Sequence, residues 1–447
     1  MTTISKLIFS LLLLPLLLNI QTAGQNKVSD GLKTPDWSKN LSIYEVNIRQ
    51  FTEAGTLKEF EKHLSRLNEV GAGILWLMPI HPIGEKNRKG SLGSYYSVKD
   101  YLAVNPEFGT LDDFKSLVQK IHAMGMYVII DWVANHTAWD NLWVGTHPDF
   151  YTKDTAGNFV PPVQDWGDVI DLNYDNKDLW KEMISALKYW VKECDIDGYR
   201  CDVAGMVPIE FWIEARTELE KIKPVFMLAE WDTPEIHKAF DMSYDWNLHK
   251  IMNSIYKGEM TASDIAEHFA DEKKYFPSNA IRMLFTSNHD ENSWNGTEFE
   301  RLGDAAETFA VLTCVLPGMP LVYSGQEAGF NKRLSFFDKD TILWKDHPMK
   351  SIYQKLFHLR KNNLALSAES KFNFIDVDND DLLVFSRENG NESLFAVFNL
   401  SKKEKNILLP PQSLSGTFRN YFTGELENFS STQNIRLKPW GYKIFVR

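Results

Sequence analysis

Cysteine is scarce in this 447-residue chain, which carries only Cys194, Cys201 and Cys314. A disulfide scaffold shows an even set in a short, loop-rich chain, so three cysteines in apolar stretches are expected to be buried free thiols. Cys201 adjoins Asp202, but an apolar strand is not the polarised, accessible setting that a reactive thiol needs. Positive charge is also in deficit: 48 Lys and Arg face 60 Asp and Glu, a formal net charge of -12. No basic stripe offsets this balance, which excludes nucleic acid as a partner. Long apolar runs are missing after the first residues. Residues 1–24 hold Lys6, an apolar stretch Leu7–Ile20 and the small pair Ala23 and Gly24. That stretch is shorter than the roughly 20 residues of a spanning helix and reads as a cleavable signal peptide. The expectation is an exported protein, periplasmic or extracellular, with no membrane insertion after cleavage.

What the chain does contain is a rhythm of short apolar runs alternating with helical periodicity, the pattern of repeated βα units around a parallel sheet. The expected strands are Ile43–Ile48, Ile74–Met78, Tyr127–Ile130, Gly198–Cys201, Val225–Ala229, Ala239–Met242, Arg282–Phe285 and Leu321–Tyr323. Eight units suggest a closed (β/α)8 barrel over residues 25–366. Thr110 with Asp113 forms a capping-box start for the helix carrying Phe114, Leu117, Val118 and Ile121. From Thr137 to Asn176 the rhythm breaks for far longer than the usual connection of about 2–6 residues, which predicts a small subdomain over the active face. Residues 367–447 hold strand-like runs such as Leu382–Ser386, Leu394–Asn399 and Tyr442–Val446 between turn formers, an antiparallel β-sandwich domain.

Four apolar strands lead into an acid: YVIID ends at Asp131, GYRCD at Asp202, VFMLAE at Glu230 and MLFTSNHD at Asp290. In a βα barrel such strand ends converge on the rim that carries catalysis. One acid alone would suit a helix cap, but four accompanied by His136, Arg200 and His289 point to a shared site. Convergent carboxylates without a Cys/His ligand set suit glycosyl transfer, in which one carboxylate attacks carbon and another protonates the departing oxygen. Arg200, two residues before Asp202, projects to the same side and is expected to keep Asp202 ionised as the nucleophile. Glu230 is expected to be the acid, held protonated by neighbouring Asp202 and Asp290 and by Trp231 excluding water.

Read with their neighbours, these residues resemble the α-amylase family, glycoside hydrolase family 13. DWVANH at Asp131–His136, GYRCD at Gly198–Asp202, LAEWD at Leu228–Asp232 and TSNHDEN at Thr286–Asn292 are similar to its four motifs, in order. GSYYSVKDY at Gly93–Tyr101, DLN at Asp171–Asn173 and GMPLVYSGQEAG at Gly318–Gly329 are weaker local matches. The resemblance implies a (β/α)8 barrel with an excursion after strand 3 and a C-terminal sandwich. It implies Asp202 as nucleophile, Glu230 as acid/base and Asp290 as transition-state stabiliser. By the same carry-over Arg200 positions the nucleophile, His136 and His289 hydrogen-bond the sugar, and Tyr96 stacks on its ring. Asn135 and Asp171 match positions that hold a structural calcium in many members, although the aspartate-rich loop that others carry after strand 1 is absent from RQFTEAGTLKEF. Where many members have a Lys-His pair after the nucleophile, this chain reads DVAGM. The few residues before the first strand leave no room for the N-terminal sandwich of neopullulanases and cyclomaltodextrinases.

The function expected is retaining cleavage of α-1,4-glucosidic bonds in starch or maltooligosaccharides, with no organic cofactor. An α-glucosidase, a cyclomaltodextrinase- or neopullulanase-like hydrolase and an α-glucan transglycosylase share the same chemistry. An inactive glucan-binding relative is the non-enzymatic alternative.

Overall fold

A computed structural model describes residues 32–409, 415–429 and 433–447, so the signal-peptide reading at 1–24 lies outside the described residues. The first ten strands are β1 (Ile43–Val46), β2 (Ile74–Leu77), β3 (Tyr127–Trp132), β4 (His136–Ala138), β5 (Val169–Asp171), β6 (Gly198–Cys201), β7 (Phe226–Ala229), β8 (Met242–Tyr244), β9 (Ile281–Phe285) and β10 (Met319–Tyr323). All but β4 and β5 close into a parallel barrel in the order β1-β10-β9-β8-β7-β6-β3-β2. The eight expected strands are present. One is displaced: the run expected at Ala239–Met242 pairs instead over Met242–Tyr244, with Asp241 at its entry, its amide donating to the Met227 carbonyl at 3.0 Å and its carboxylate accepting from Arg216 Nη1 at 2.7 Å.

Strand alternation sorts the apolar residues into two cores. Ile43, Ile74, Ile129, Leu228, Met242, Met283 and Leu321 fill the barrel interior, whereas Tyr44, Leu75, Ile130, Tyr199, Met227 and Leu284 face the surrounding helices. The same two-residue step carries inward orientation from Ile129 to Asp131 and from Leu228 to Glu230. Polar groups therefore replace apolar ones only at the mouth. On the outside, Leu111–Ala123 has the expected capping box: Thr110 Oγ1 accepts from the Asp113 amide at 3.2 Å and Asp113 Oδ2 from the Thr110 amide at 3.0 Å. The helix Lys177–Cys194 buries Leu179, Met183, Leu187, Trp190 and Val191 along one stripe.

The excursion after β3 is built on the β4/β5 hairpin, with His136 opposite Asp171. Beyond the barrel follow β11 (Lys371–Phe374), β12 (Leu382–Asn389), β13 (Glu392–Asn399), β14 (Lys405–Leu409), β15 (Gly416–Asn420), β16 (Leu426–Phe429), β17 (Gln433–Leu437) and β18 (Tyr442–Val446). Six form one sheet and β14 pairs with β17, with Val384, Phe395, Val397, Ile407, Phe418, Ile435 and Phe445 packed between. The buried Arg387 ties this unit to the barrel by donating to the carbonyls of Val315 (3.1 Å) and Leu316 (2.8 Å).

Candidate active site

At the carboxyl ends of the strands, Arg200 is the hub. Asp131 of β3 lies opposite Arg200 of β6 in the ladder. Arg200 Nη1 reaches Asp131 Oδ1 at 2.9 Å and Asp202 Oδ1 at 3.0 Å, while Nη2 meets Glu230 Oε2 at 2.9 Å. Its Nε donates to Tyr244 Oη at 3.2 Å. Glu230 Oε2 also accepts from the Val203 amide at 2.8 Å, which fixes the glutamate over the loop after the nucleophile candidate. Val203 itself has φ 36°, a left-handed conformation forced on a β-branched residue where the chain turns sharply after Asp202.

This geometry corrects one expectation. Arg200 was expected to hold Asp202 ionised and so to distinguish it from Glu230, but the guanidinium touches both. Burial pushes both carboxyls above their ordinary range, Asp202 strongly, with the charge of Glu230 adding to the rise and Arg200 opposing it. Burial is likewise the largest cause for Glu230, opposed by Arg200 and reinforced by Asp290.

A second string of polar groups runs from β1 to Arg200. Tyr96 Oη donates to Asp131 Oδ2 at 3.1 Å and lies 2.7 Å from His289 Nε2. His289 Nδ1 bonds Glu45 Oε1, and its Nε2 is 3.3 Å from Asp290 Oδ2. Burial alone would lower the pKa of this imidazole, but Asp290 and Glu45 raise it to about 9, so Nε2 keeps its proton and donates to Tyr96. His136 differs. Burial drops it to about 3, and its Nδ1 accepts from Asn135 Nδ2 at 3.2 Å, so the neutral ring presents Nε2–H 4.0 Å from Asp202 Oδ2.

The site residues expected from sequence, Tyr96, His136, Arg200, Asp202, Glu230, His289 and Asp290, thus meet around one mouth, with Asp290 the most open at 35% side-chain exposure. Glu45 was missed. It lies fully buried in the apolar strand IYEV, with Oε2 unpartnered, and the one signal was an acid at an inward-facing position of a strand otherwise apolar. Trp231 does not simply shield Glu230: its indole lies flat over Gly205, where an added Cβ would sit 2.0 Å from the ring. That is the stretch in which the Lys-His pair is lacking, and the ring leaves no room for a side chain at Gly205. The three cysteines are buried and free; Cys194 and Cys314 are pushed up to about 12 by burial, as inert thiols should be.

Asn135 and Asp171 lie one step apart across the β4/β5 pairing: the Leu172 amide donates to the Asn135 carbonyl at 3.1 Å, and Asp171 stands opposite His136. Burial raises the Asp171 carboxyl, against the lowering effect of a hydrogen bond with the Thr152 side chain. With the Asn135 amide nitrogen turned to His136, its oxygen is left for another partner. Such donors are the hard oxygens that calcium takes.

Comparison with known proteins matches the α-amylase catalytic domain over residues 29–166 and 163–363, and the maltogenic amylase C-terminal domain over 372–444. The chain is 26% identical to α-amylase 2 of Dictyoglomus thermophilum over 94% of its own length and 78% of the relative. It is also 26% identical to a maltogenic α-amylase of Bacillus acidopullulyticus, over 94% and 75%. Among solved structures, an α-amylase from Lactobacillus plantarum superimposes with a TM-score of 0.83 at 31% identity, covering 91% of this chain and 99% of that one. A noncanonic maltogenic α-amylase, AmyB, from Thermotoga neapolitana gives 0.84 at 30% over 92% and 99%. A closed barrel with Asp131, Asp202, Glu230 and Asp290 at its mouth and catalytic-domain similarity across it leads to one assignment: the chain belongs to the α-amylase family.

Proposed function

We propose that the protein hydrolyses α-1,4-glucosidic bonds of starch or maltooligosaccharides with retention, through a covalent glycosyl-enzyme intermediate. The observation that carries this reading is the single guanidinium bridging Asp202 and Glu230. It fits the close carboxyl spacing of retaining enzymes, about 5–5.5 Å, better than the roughly 6.5–9.5 Å that inverting enzymes use to admit a water. The names of the relatives, α-amylase and maltogenic amylase, support the substrate class.

In the first half-reaction Asp202 attacks the anomeric carbon as Glu230 passes its proton to the departing oxygen; the C–O bond breaks and an ester forms. In the second, Glu230 takes a proton from water, whose oxygen displaces Asp202. Substrate entry resolves the role left open in the free site. Arg200 stays with Asp202 as its charge spreads toward carbon, and Glu230, beside the leaving group, carries the proton. Asp290, reached from His289, supports the charge developing on the sugar, and Tyr96 packs under the ring.

Asp202→Asn and Glu230→Gln are each expected to lose about 10²-fold or more in kcat while keeping their circular dichroism and melting temperature. Proton NMR of the first product should show retained α configuration; an inverted product would refute the mechanism. A calcium ion held through oxygens of Asn135 and Asp171 is the second part of the proposal; its place is structural, bracing the β4/β5 hairpin. The leader-like residues 1–24 support an exported enzyme.

A further inference from the structure

The two sides of the catalytic pair are built differently. Glu230 protonates the leaving oxygen, so the leaving side of the substrate lies by β6 and β7, where Val203, Gly205, Met206 and Trp231 stand. The retained sugar points the opposite way, toward Tyr96, His289 and the loops after β2, β9 and β10. On the leaving side the Trp231 indole fills the place beside Gly205, and beyond it the surface is open, with Met206 39% exposed.

On the retained side the loops are fastened together. Ser91 donates to Asp338 Oδ1 through both its amide and its hydroxyl, each at 2.7 Å. The Leu92 amide donates to the Phe337 carbonyl at 3.0 Å. Arg49, fully buried below, clasps the carbonyls of Gly93 (2.9 Å) and Phe336 (3.3 Å) at once. Contact is so close at Gly90 that an added Cβ would lie 2.5 Å from Phe337 Cβ. The other end of the same loop is fixed to the excursion, with Lys89 Nζ 2.8 Å from Asp168 and 3.0 Å from the Asp165 carbonyl. From the sugar-facing ring outward runs an aromatic series: Phe336 lies nearly parallel to Tyr96 at 6.2 Å, and Trp294, 46% exposed, stands 5.2 Å from Phe336.

The geometry points to a site that receives chain ends: the fastened loops close the retained side, Trp294 with Phe336 forms the stacking plate for the terminal glucose units, and the open leaving side takes the rest of the glucan. This rests on the assignment of Asp202 and Glu230 as the catalytic pair. A glucan passing through would have to cross the Ser91–Asp338 and Leu92–Phe337 bonds, whereas a free non-reducing end need only reach the plate. An exposed indole is well suited to that task, because sugar C–H faces pack on aromatic rings.

The test is nitrophenyl maltoheptaoside with its non-reducing end either free or blocked by a 4,6-ethylidene group. The wild-type enzyme should cleave the free substrate at least tenfold faster than the blocked one, and from maltoheptaose should release one short product from the outset. Equal rates on the two substrates would overturn the inference and leave the catalytic assignment standing; cleavage of neither would remove both. Trp294→Ala should lower kcat/KM about tenfold on maltotriose and little on nitrophenyl α-glucoside, which has a single retained unit. The same loss on both would deny the plate.

Discussion

Five carboxyl groups in the barrel mouth, from Glu45, Asp131, Asp202, Glu230 and Asp290, face two cations, Arg200 and His289. With burial added, the pocket favours the protonated forms, and the carboxyls of Asp202 and Glu230 both lie above their ordinary range. Glu45 sets the other cation. Its carboxylate and Asp290 lift His289 to about 9, against burial and the like charge of Arg200, with Asp131, Glu230 and the Tyr96 hydroxyl also nearby. Because the folded value exceeds the ordinary 6.5, the charged His289 adds stability in full below pH 6.5 and loses it as pH rises through about 9. Glu45→Gln keeps an acceptor for Nδ1–H but removes one charge. Activity should fall a fewfold at pH 6 and about tenfold at pH 8.5, as His289 loses its proton earlier; one factor at every pH would mean that Glu45 only fills space. Asp131, Asp202 and Glu230 were legible because each closes an apolar run at a barrel rim. Glu45 was not, since one acid inside IYEV has no local partner and its role depends on His289, 244 positions away.

At the level of elements, the strands were legible because barrel strands are buried on both faces and stand out as continuous apolar runs. Polar clamps were not. Asp241, at the entry of β8, is fixed by Arg216 and the Met227 amide, and nothing in FDMSY announces such a tertiary bond. The Thr110 box was readable because both partners lie within one helical turn. The β4/β5 hairpin carries His136 on one strand and Asp171 on the other, so its placement governs one side of the mouth. A cation there would link hairpin to barrel. Chelation is therefore expected to lower the melting temperature by several degrees, reversed by added calcium, and Asp171→Asn should abolish that sensitivity. An unchanged melting curve after thorough chelation would remove the ion from the proposal.

Across the whole molecule, all three cysteines are buried free thiols, so the fold stands without disulfides. Among the described residues no helix is long and apolar enough to cross a membrane. The protein recovered from the periplasm or medium of its own cells should begin near Gln25, as N-terminal sequencing would read; a species starting at Met1 in the cytosolic fraction would refute export. The closed barrel and the sandwich were legible as two rhythms, one of βα units and one of short strands between turns. How they are joined was not, because it depends on Arg387, a lone arginine in an apolar strand. Its buried guanidinium is satisfied by carbonyls of Val315, Leu316 and Ser367 around the end of a barrel helix. Pulling the units apart would exchange these carbonyl bonds for bonds to water and expose the apolar seam around them, so each bond contributes its modest net value on top of the packing. The C-terminal unit is therefore expected to act less as a tethered accessory than as a keystone: barrel and sandwich should melt in a single transition, and a truncation before β12 should lower the melting temperature of the barrel, whose Val315 and Leu316 carbonyls lose Arg387 as donor.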